Sequence, residues 1–298
     1  MNEDSPMNGS STIKQFFRDV GELLEMIKIG HSVLALPFAF MGAMLAARGL
    51  PAGRISFFIL VAMVGARAAA MAFNRLADAP FDALNPRTAD RALPAGRVSR
   101  RGTFIFTAIG AAVFMGAAAQ LNRVCFLLSP LALLVILGYS LTKRFTVLSH
   151  LVLGLSLGLA PLGGWLAVKG DLGLSVLVLA LAVIFWVAGF DVLYALQDEE
   201  FDRRLGLFSL PAWLGAVKAR RLAWLFHLVA AALFGLTGVL AGLGPIYAGA
   251  VVLSALIMFA QHFRLSTQEP LRLPPAFFTL NGLVGLGLAL ATWLALVL

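Results

Sequence analysis

AMAFNRLADAPFDALNPRTADRALPAG, residues 70–96, starts as the end of an apolar segment and turns polar within a few positions. Asn74, Asp78 and Asp82 follow at intervals of four, so a helix continued through them carries all three on one face. A second stretch, VAGFDVLYALQDEEFDRRLGLFSLP at 187–211, repeats the arrangement with Asp191, Tyr194, Asp198 and Asp202 at i, i+3, i+7 and i+11. The chain has fifteen acidic residues, and eight of them lie in these two stretches. One such cluster could consist of loop carboxylates that are solvated or paired with Arg75, Arg87, Arg203 or Arg204. Two clusters of equivalent placement in an acid-poor chain argue against that. An Asp at the centre of a membrane helix costs about 2.5–3.5 kcal/mol, so acids near the membrane are generally functional and partnered.

The surrounding composition sets the class. Sixty per cent of the residues are hydrophobic and 13% charged, against about a quarter charged in soluble domains. With a mean hydropathy of +0.90 the chain reads as a polytopic, all-α membrane protein embedded in a lipid bilayer. Apolar stretches long enough to cross ~30 Å of hydrocarbon fall near 29–47, 55–73, 103–121, 124–142, 147–168, 172–190, 221–241, 245–262 and 276–297. Nine transmembrane helices are expected. With the N-terminus cytoplasmic, eighteen Lys and Arg lie on the inner side and only Arg48, Arg54, Arg123 and Lys169 on the outer. That asymmetry follows the positive-inside rule and supports the span count. Both acidic clusters then face the cytoplasm, and the expected location is the inner (plasma) membrane. The net charge of +8 is explained by these basic loops, so no nucleic-acid partner is expected.

Residues 1–12 lack the basic region and cleavage site of a secretory signal. Residues 13–28 alternate apolar and charged positions at helical spacing, as in an interfacial amphipathic helix. The expected organisation is a tail at 1–28 and one helical domain at 29–298. The single cysteine, Cys125, excludes an internal disulfide and a cysteine-based zinc site. Four scattered histidines read as structural, His31 alone lying near the cytoplasmic face at the start of a span.

Carboxylates in this pattern suit Mg²⁺, a hard cation usually held by one or two carboxylates plus substrate phosphates. An ion at each cluster would bridge to a diphosphate and help it leave. Arg87, Arg91, Lys143 and Arg144 are candidates for the anion site, with Lys28 a further one; each could instead be a topology anchor. Arg67 lies seven residues before Asn74, two turns deeper on the same face, and is expected to point into a polar cavity, for structural pairing or for a substrate carboxylate. Tyr139 and Lys143 form a Tyr-x-x-x-Lys pair at the end of a span. Gly154, Gly158, Gly163 and Gly164 suggest close helix packing, and Pro37, Pro161 and Pro245 suggest kinks.

The first stretch, through Asn74, Asp78, Asp82, Asn85, Arg87, Thr88, Arg91, Leu93, Pro94 and Gly96, resembles the first signature of the UbiA superfamily of intramembrane prenyltransferases. The second, through Asp191, Tyr194, Asp198, Asp202, Gly206, Ser209 and Pro211, resembles its second signature. The resemblance spans essentially the whole chain. Ala92 departs from it where relatives often have Pro, and Arg75 where several have Asp; neither is a proposed ligand. The resemblance implies a nine-helix bundle around a central cavity and Mg²⁺-dependent transfer of a prenyl chain from a polyprenyl diphosphate. It implies that Asn74, Asp78, Asp82, Asp198 and Asp202 bind Mg²⁺–diphosphate, that Asp191 and Tyr194 lie close by, and that Lys143 and Arg144 contact the diphosphate.

The start of the first span and residues 65–97 resemble the 4-hydroxybenzoate polyprenyltransferase-like subgroup. This implies an aromatic hydroxy-carboxylate acceptor from respiratory quinone synthesis. Alternatives are 1,4-dihydroxy-6-naphthoate in a menaquinone route, or another family acceptor such as haem, a chlorin, homogentisate or a glyceryl phosphate lipid. A cation-coupled transporter is the non-enzymatic alternative. Transporters usually bind at the midplane of inverted repeats, whereas these acids gather at one face.

Overall fold

The computed structural model describes residues 21, 34–266 and 276–298. The expected amphipathic helix at 13–28, Lys28 and His31 lie outside the described residues. All regular secondary structure among the described residues is helical. In chain order the helices are α1 (Leu36–Ala47), α2 (Gly53–Asp82), α3 (Arg100–Leu121), α4 (Arg123–Thr142), α5 (Ser149–Lys169) and α6 (Leu174–Ala195). A 3₁₀ turn (Leu196–Asp198) joins α6 to the short α7 (Glu199–Arg204). Then come α8 (Leu210–Leu214), α9 (Ala216–Ala241), α10 (Pro245–Ser266) and α11 (Ala276–Val297). Among the described residues, eight helical segments are long and apolar enough to cross a membrane. Helix α1, at twelve residues, reaches only about 18 Å, and most of the remainder of the stretch expected at 29–47 is undescribed.

Two boundaries carry consequences. Helix α2 does not stop near residue 73 but runs on to Asp82, which turns the four-residue spacing of Asn74, Asp78 and Asp82 into a shared helical face. Helices α3 and α4 are split at Asn122, whose extended backbone breaks the run. Its Oδ1 accepts from Cys125 N at 2.9 Å as an N-cap, while its Nδ2 donates to Leu166 O at 2.7 Å.

Helix α6 sits at the centre of the bundle. Trp186 on it is fully buried and packs against Phe38 of α1 (ring centroids 5.2 Å apart), and Phe38 in turn stacks on Phe234 of α9 (5.9 Å). Helices α3 and α4 instead expose Phe104, Ile109, Leu127 and Leu134, as lipid-facing helices do. Helix α5 touches α1 backbone to backbone: a Cβ on Gly164 would lie 1.9 Å from Ala39 O, and one on Gly42 would lie 2.0 Å from Pro161 O. Gly154 does the same against Ile184 O of α6 and Gly158 meets the Ile184 side chain and Ala180 O, but Gly163 faces open space and takes no part. The kinks expected at Pro37 and Pro245 are corrected. Both stand at helix starts, where a missing N–H costs nothing; Pro161 does lie inside its helix.

Candidate active site

At one end of the bundle a cavity of about 240 Å³ opens between α2, the 83–99 loop, α4, α5 and α6. Asn74, Asp78, Asp82, Arg87, Arg91, Tyr139, Lys143, Arg144, Asp191, Tyr194, Asp198 and Asp202 all line it. The two acidic stretches, more than a hundred residues apart in the chain, therefore face one space. The second series stays on one side even though the 3₁₀ turn at 196–198 interrupts its helix.

The first wall is α2. Asn74 Nδ2 donates to Asp78 Oδ2 at 3.0 Å and to Ser140 Oγ of α4 at 3.4 Å, so its Oδ1 keeps its lone pairs for another partner. Asp82, 7% exposed, receives both contacts of Arg91 Nη1, at 2.7 and 2.8 Å. Thr88 Oγ1 donates to Asp82 O at 3.1 Å and folds the loop back over the helix end.

The second wall is α6 with its 3₁₀ turn and α7. Asp198 is 9% exposed and accepts from Arg87 Nε and Nη2 at 3.1 and 2.6 Å, a two-pronged contact across the cavity. Arg87 also donates to Tyr194 Oη at 3.0 Å. Burial alone would lower the Arg87 pKa, but Tyr194 and Asp198 outweigh it and hold the guanidinium above its ordinary value. Asp202, 2% exposed, keeps Oδ2 without a hydrogen-bond partner; Lys143 Nζ stands 3.8 Å away. Burial opposes the Lys143 charge as well. The carboxylates of Asp202, Asp191, Asp198 and Asp78 overcome it and raise its pKa.

Not every expected group sits alike. Arg144 is a rim residue, donating to Ala77 O and lying over the Phe81 ring at 5.3 Å. Arg67 is not among the residues lining the cavity. Its Nε is buried with no hydrogen-bond partner, and it interacts electrostatically with the buried Tyr139.

Sequence reading missed several members. Asn85 bridges the two stretches: its Nδ2 donates to Asp198 Oδ1 at 3.4 Å and its Oδ1 accepts from Arg87 N at 3.0 Å. Arg75 lines the cavity among the acids. Its place directly after Asn74 was the available signal. His150 reads as structural in the sequence, yet its Nδ1 lies 2.7 Å from Asp191 Oδ2. No spacing rule connects those two positions.

The donor set is all oxygen and mostly carboxylate, which suits a hard cation. Among the described residues, no three His, Cys, Asp or Glu side chains converge to enclose an ion by themselves. A cation here would be shared between one or two carboxylates and an oxygen-rich ligand, and the orphaned Asp202 Oδ2 is available for that.

A family model described as the UbiA prenyltransferase family matches residues 35–283. A 4-hydroxybenzoate solanesyltransferase from Synechocystis is 32% identical over 241 residues, covering 81% of this chain and 82% of that one. A 4-hydroxybenzoate octaprenyltransferase from Yersinia pseudotuberculosis is 29% identical, covering 95% and 99%. The apo structure of a UbiA homolog from Aeropyrum pernix K1 superposes with a TM-score of 0.80 at 38% identity, covering 88% of this chain and 96% of that one. A UbiA homolog from Archaeoglobus fulgidus, bound to GPP and Mg²⁺, shares the fold at a TM-score of 0.74 and 19% identity, covering 93% and 100%.

Proposed function

The chain belongs to the UbiA prenyltransferase family, and from that premise we propose that it transfers a polyprenyl chain from a polyprenyl diphosphate to an aromatic hydroxy-carboxylate of the 4-hydroxybenzoate type. The observation that carries this reading is the convergence of both acidic stretches, with Arg87, Arg91 and Lys143, on one cavity at the end of a membrane bundle. Curated relatives named as 4-hydroxybenzoate polyprenyltransferases support the choice of acceptor.

Asn74, Asp78 and Asp82 on one wall and Asp198 and Asp202 on the other are the residues that would hold Mg²⁺ with the diphosphate. Bound Mg²⁺ supplies charge neutralisation for the departing diphosphate. Lys143, held charged by four acids, and Arg144 at the rim contact the same anion. Arg87 and Arg91 each exchange a carboxylate contact for a diphosphate oxygen as it enters. Charge developing on the leaving group thus meets fixed cations, and little reorganisation is needed at the moment of reaction. Phe81, Leu153 and Phe201 line the same space and keep water from the allylic cation. The ring of the acceptor attacks that carbon and then loses its proton to the departed diphosphate, and alignment of the two partners does much of the work. Arg67, deeper along α2 and behind the residues that line the cavity, would take the acceptor carboxylate through its unpartnered Nε.

The chain from residue 29 onward forms one nine-helix domain, with α1 as part of the first span and residues 1–28 as a cytoplasmic tail. The protein lies in the inner membrane with the cavity toward the cytoplasm. The charge asymmetry supports this. Arg48 and Arg54, assigned to the opposite side, lie at helix ends away from the cavity, where they bond Ala241 O and Gln120 O.

Purified protein given labelled polyprenyl diphosphate, Mg²⁺ and a panel of arenes tests the reading. Labelled 4-hydroxybenzoate product is expected, and a lack of transfer to every aryl carboxylate would overturn it.

A further inference from the structure

Diphosphate and metal binding leave unexplained a buried group that stands behind the cavity-lining Asp191. His150 is fully buried in the first turn of α5 and makes two hydrogen bonds of opposite kind. The Leu210 N–H donates to its Nε2 at 3.2 Å. Its Nδ1 lies 2.7 Å from Asp191 Oδ2. A nitrogen that accepts carries no proton, so the ring is neutral and its single N–H sits on Nδ1, directed at the carboxylate. A backbone amide therefore sets the tautomer, and the tautomer sets the orientation of Asp191.

Asp191 differs from the acids assigned to the metal. It lies seven residues before Asp198, about 10 Å deeper along α6. Its side chain keeps 22% exposure and lines the cavity. Asp191 shares the cavity lining with Tyr139, which stands one turn before Lys143 at the end of α4. The histidine also ties Asp191 to the close of the second acidic stretch. Phe208 N donates to Lys143 O at 2.7 Å, and Ser149 Oγ donates to Phe208 O at 3.5 Å, so the 207–210 segment is docked across the α4–α5 connection.

We propose that Asp191, oriented by His150, accepts a hydrogen bond from the hydroxyl of the aromatic acceptor, and that His150 is the positioning residue which makes the site select hydroxylated arenes. This rests on the aryl-carboxylate reading given above. An O–H···O⁻ contact increases electron density on the phenolic oxygen and on the ring carbons beside it, where the prenyl chain is added. No proton transfer to Asp191 is required. A site built to bond a substrate hydroxyl rejects the analogue without one, because the carboxylate is then left unpaired.

The test uses the purified full-length protein with geranyl diphosphate and Mg²⁺, with 4-hydroxybenzoate as substrate and benzoate as competing ligand. His150→Gln brings an amide near the Nε2 position and leaves Asp191 without its donor, whereas His150→Asn brings an N–H near the Nδ1 position. In the wild type, 4-hydroxybenzoate is expected to bind about tenfold tighter than benzoate, the scale of a hydrogen bond to a charged group. His150→Gln should collapse that ratio toward one while KM for geranyl diphosphate stays within about twofold, and His150→Asn should restore most of it. An unchanged ratio in His150→Gln, or an equal rise in both KM values, overturns the proposal. If His150→Gln does not fold, Asp191→Asn at the partly exposed end of the pair gives the same readout, and an unchanged ratio there has the same force. If the wild type transfers to no aryl carboxylate, the acceptor reading itself falls, and this assignment with it. Transfer with an insensitive ratio removes the His150 assignment alone.

Discussion

Arg87 Nε and Nη2 grip the two carboxylate oxygens of Asp198 at 3.1 and 2.6 Å, although the residues stand 111 positions apart in the chain. The contact ties the loop after α2 to the turn after α6, so the cavity has two walls joined at its mouth. Asn85 reinforces the tie by bonding both partners.

Arg87→Ala removes this joint and leaves a nearly buried carboxylate unpaired. Loss of one partner from a hydrogen-bonded charge pair costs about 2–5 kcal/mol when buried. Arg87 is 38% exposed, so the low end applies. Steady-state assays with varied prenyl diphosphate should show kcat/KM reduced about 30-fold. Arg87→Lys should recover little, because an ammonium cannot reproduce the fork; full recovery would show that charge alone matters.

Asp78→Ala and Asp198→Ala should each abolish transfer while leaving membrane insertion and detergent monodispersity intact. Chelation by EDTA should stop the wild-type reaction and added Mg²⁺ should restore it. Full activity in either variant, or in EDTA, would refute the metal assignment.

Arg67→Ala should raise KM for the aromatic acceptor by about tenfold or more with little change for prenyl diphosphate, as expected for one lost charged hydrogen bond. The reverse pattern would move Arg67 from the acceptor to the diphosphate or to a structural role.

The pKa of Lys143 is raised, so its ammonium is charged at every pH below its unperturbed value of about 10.4. The stabilisation it contributes is fully present below that value and is lost only as pH climbs through the higher folded-state pKa. Rate profiles between about pH 6 and 9 should therefore show no alkaline limb attributable to Lys143. Lys143→Met should lower turnover at all these values, and Lys143→Arg should keep the profile shape. A new limb near neutrality that disappears in Lys143→Arg would contradict the charge state.

Gly164→Ala places a methyl group 1.9 Å from Ala39 O and should force α1 and α5 apart. A destabilisation of about 1–3 kcal/mol is expected from thermal unfolding in detergent. Gly163→Ala, next to it, meets nothing within 4 Å and serves as the control. Equal midpoints for the two variants would mean that the helices do not meet there.

The sequence alone determined the membrane class, most of the span positions and the identity of the acidic residues. Those properties are local: hydropathy over about twenty residues and helical spacing are written in consecutive positions. It also located Arg87, Arg91 and Lys143, because charge is rare in such a chain. What it could not contain is which side chain meets which. The Asn85–Asp198 bridge, the place of Arg75 among the acids, the rim position of Arg144 and the His150–Asp191 pair join different helices, and no periodicity within one helix encodes a contact with another. The same holds for the glycines. Four looked alike in the sequence, but only the packing of α1 and α6 against α5 decided that Gly154, Gly158 and Gly164 are contacts and Gly163 is not. Asn74, Asp78 and Asp82 were legible as a series. Tertiary structure made them one wall of a cavity, because α2 runs on to Asp82 and α6 brings Asp198 and Asp202 across from it.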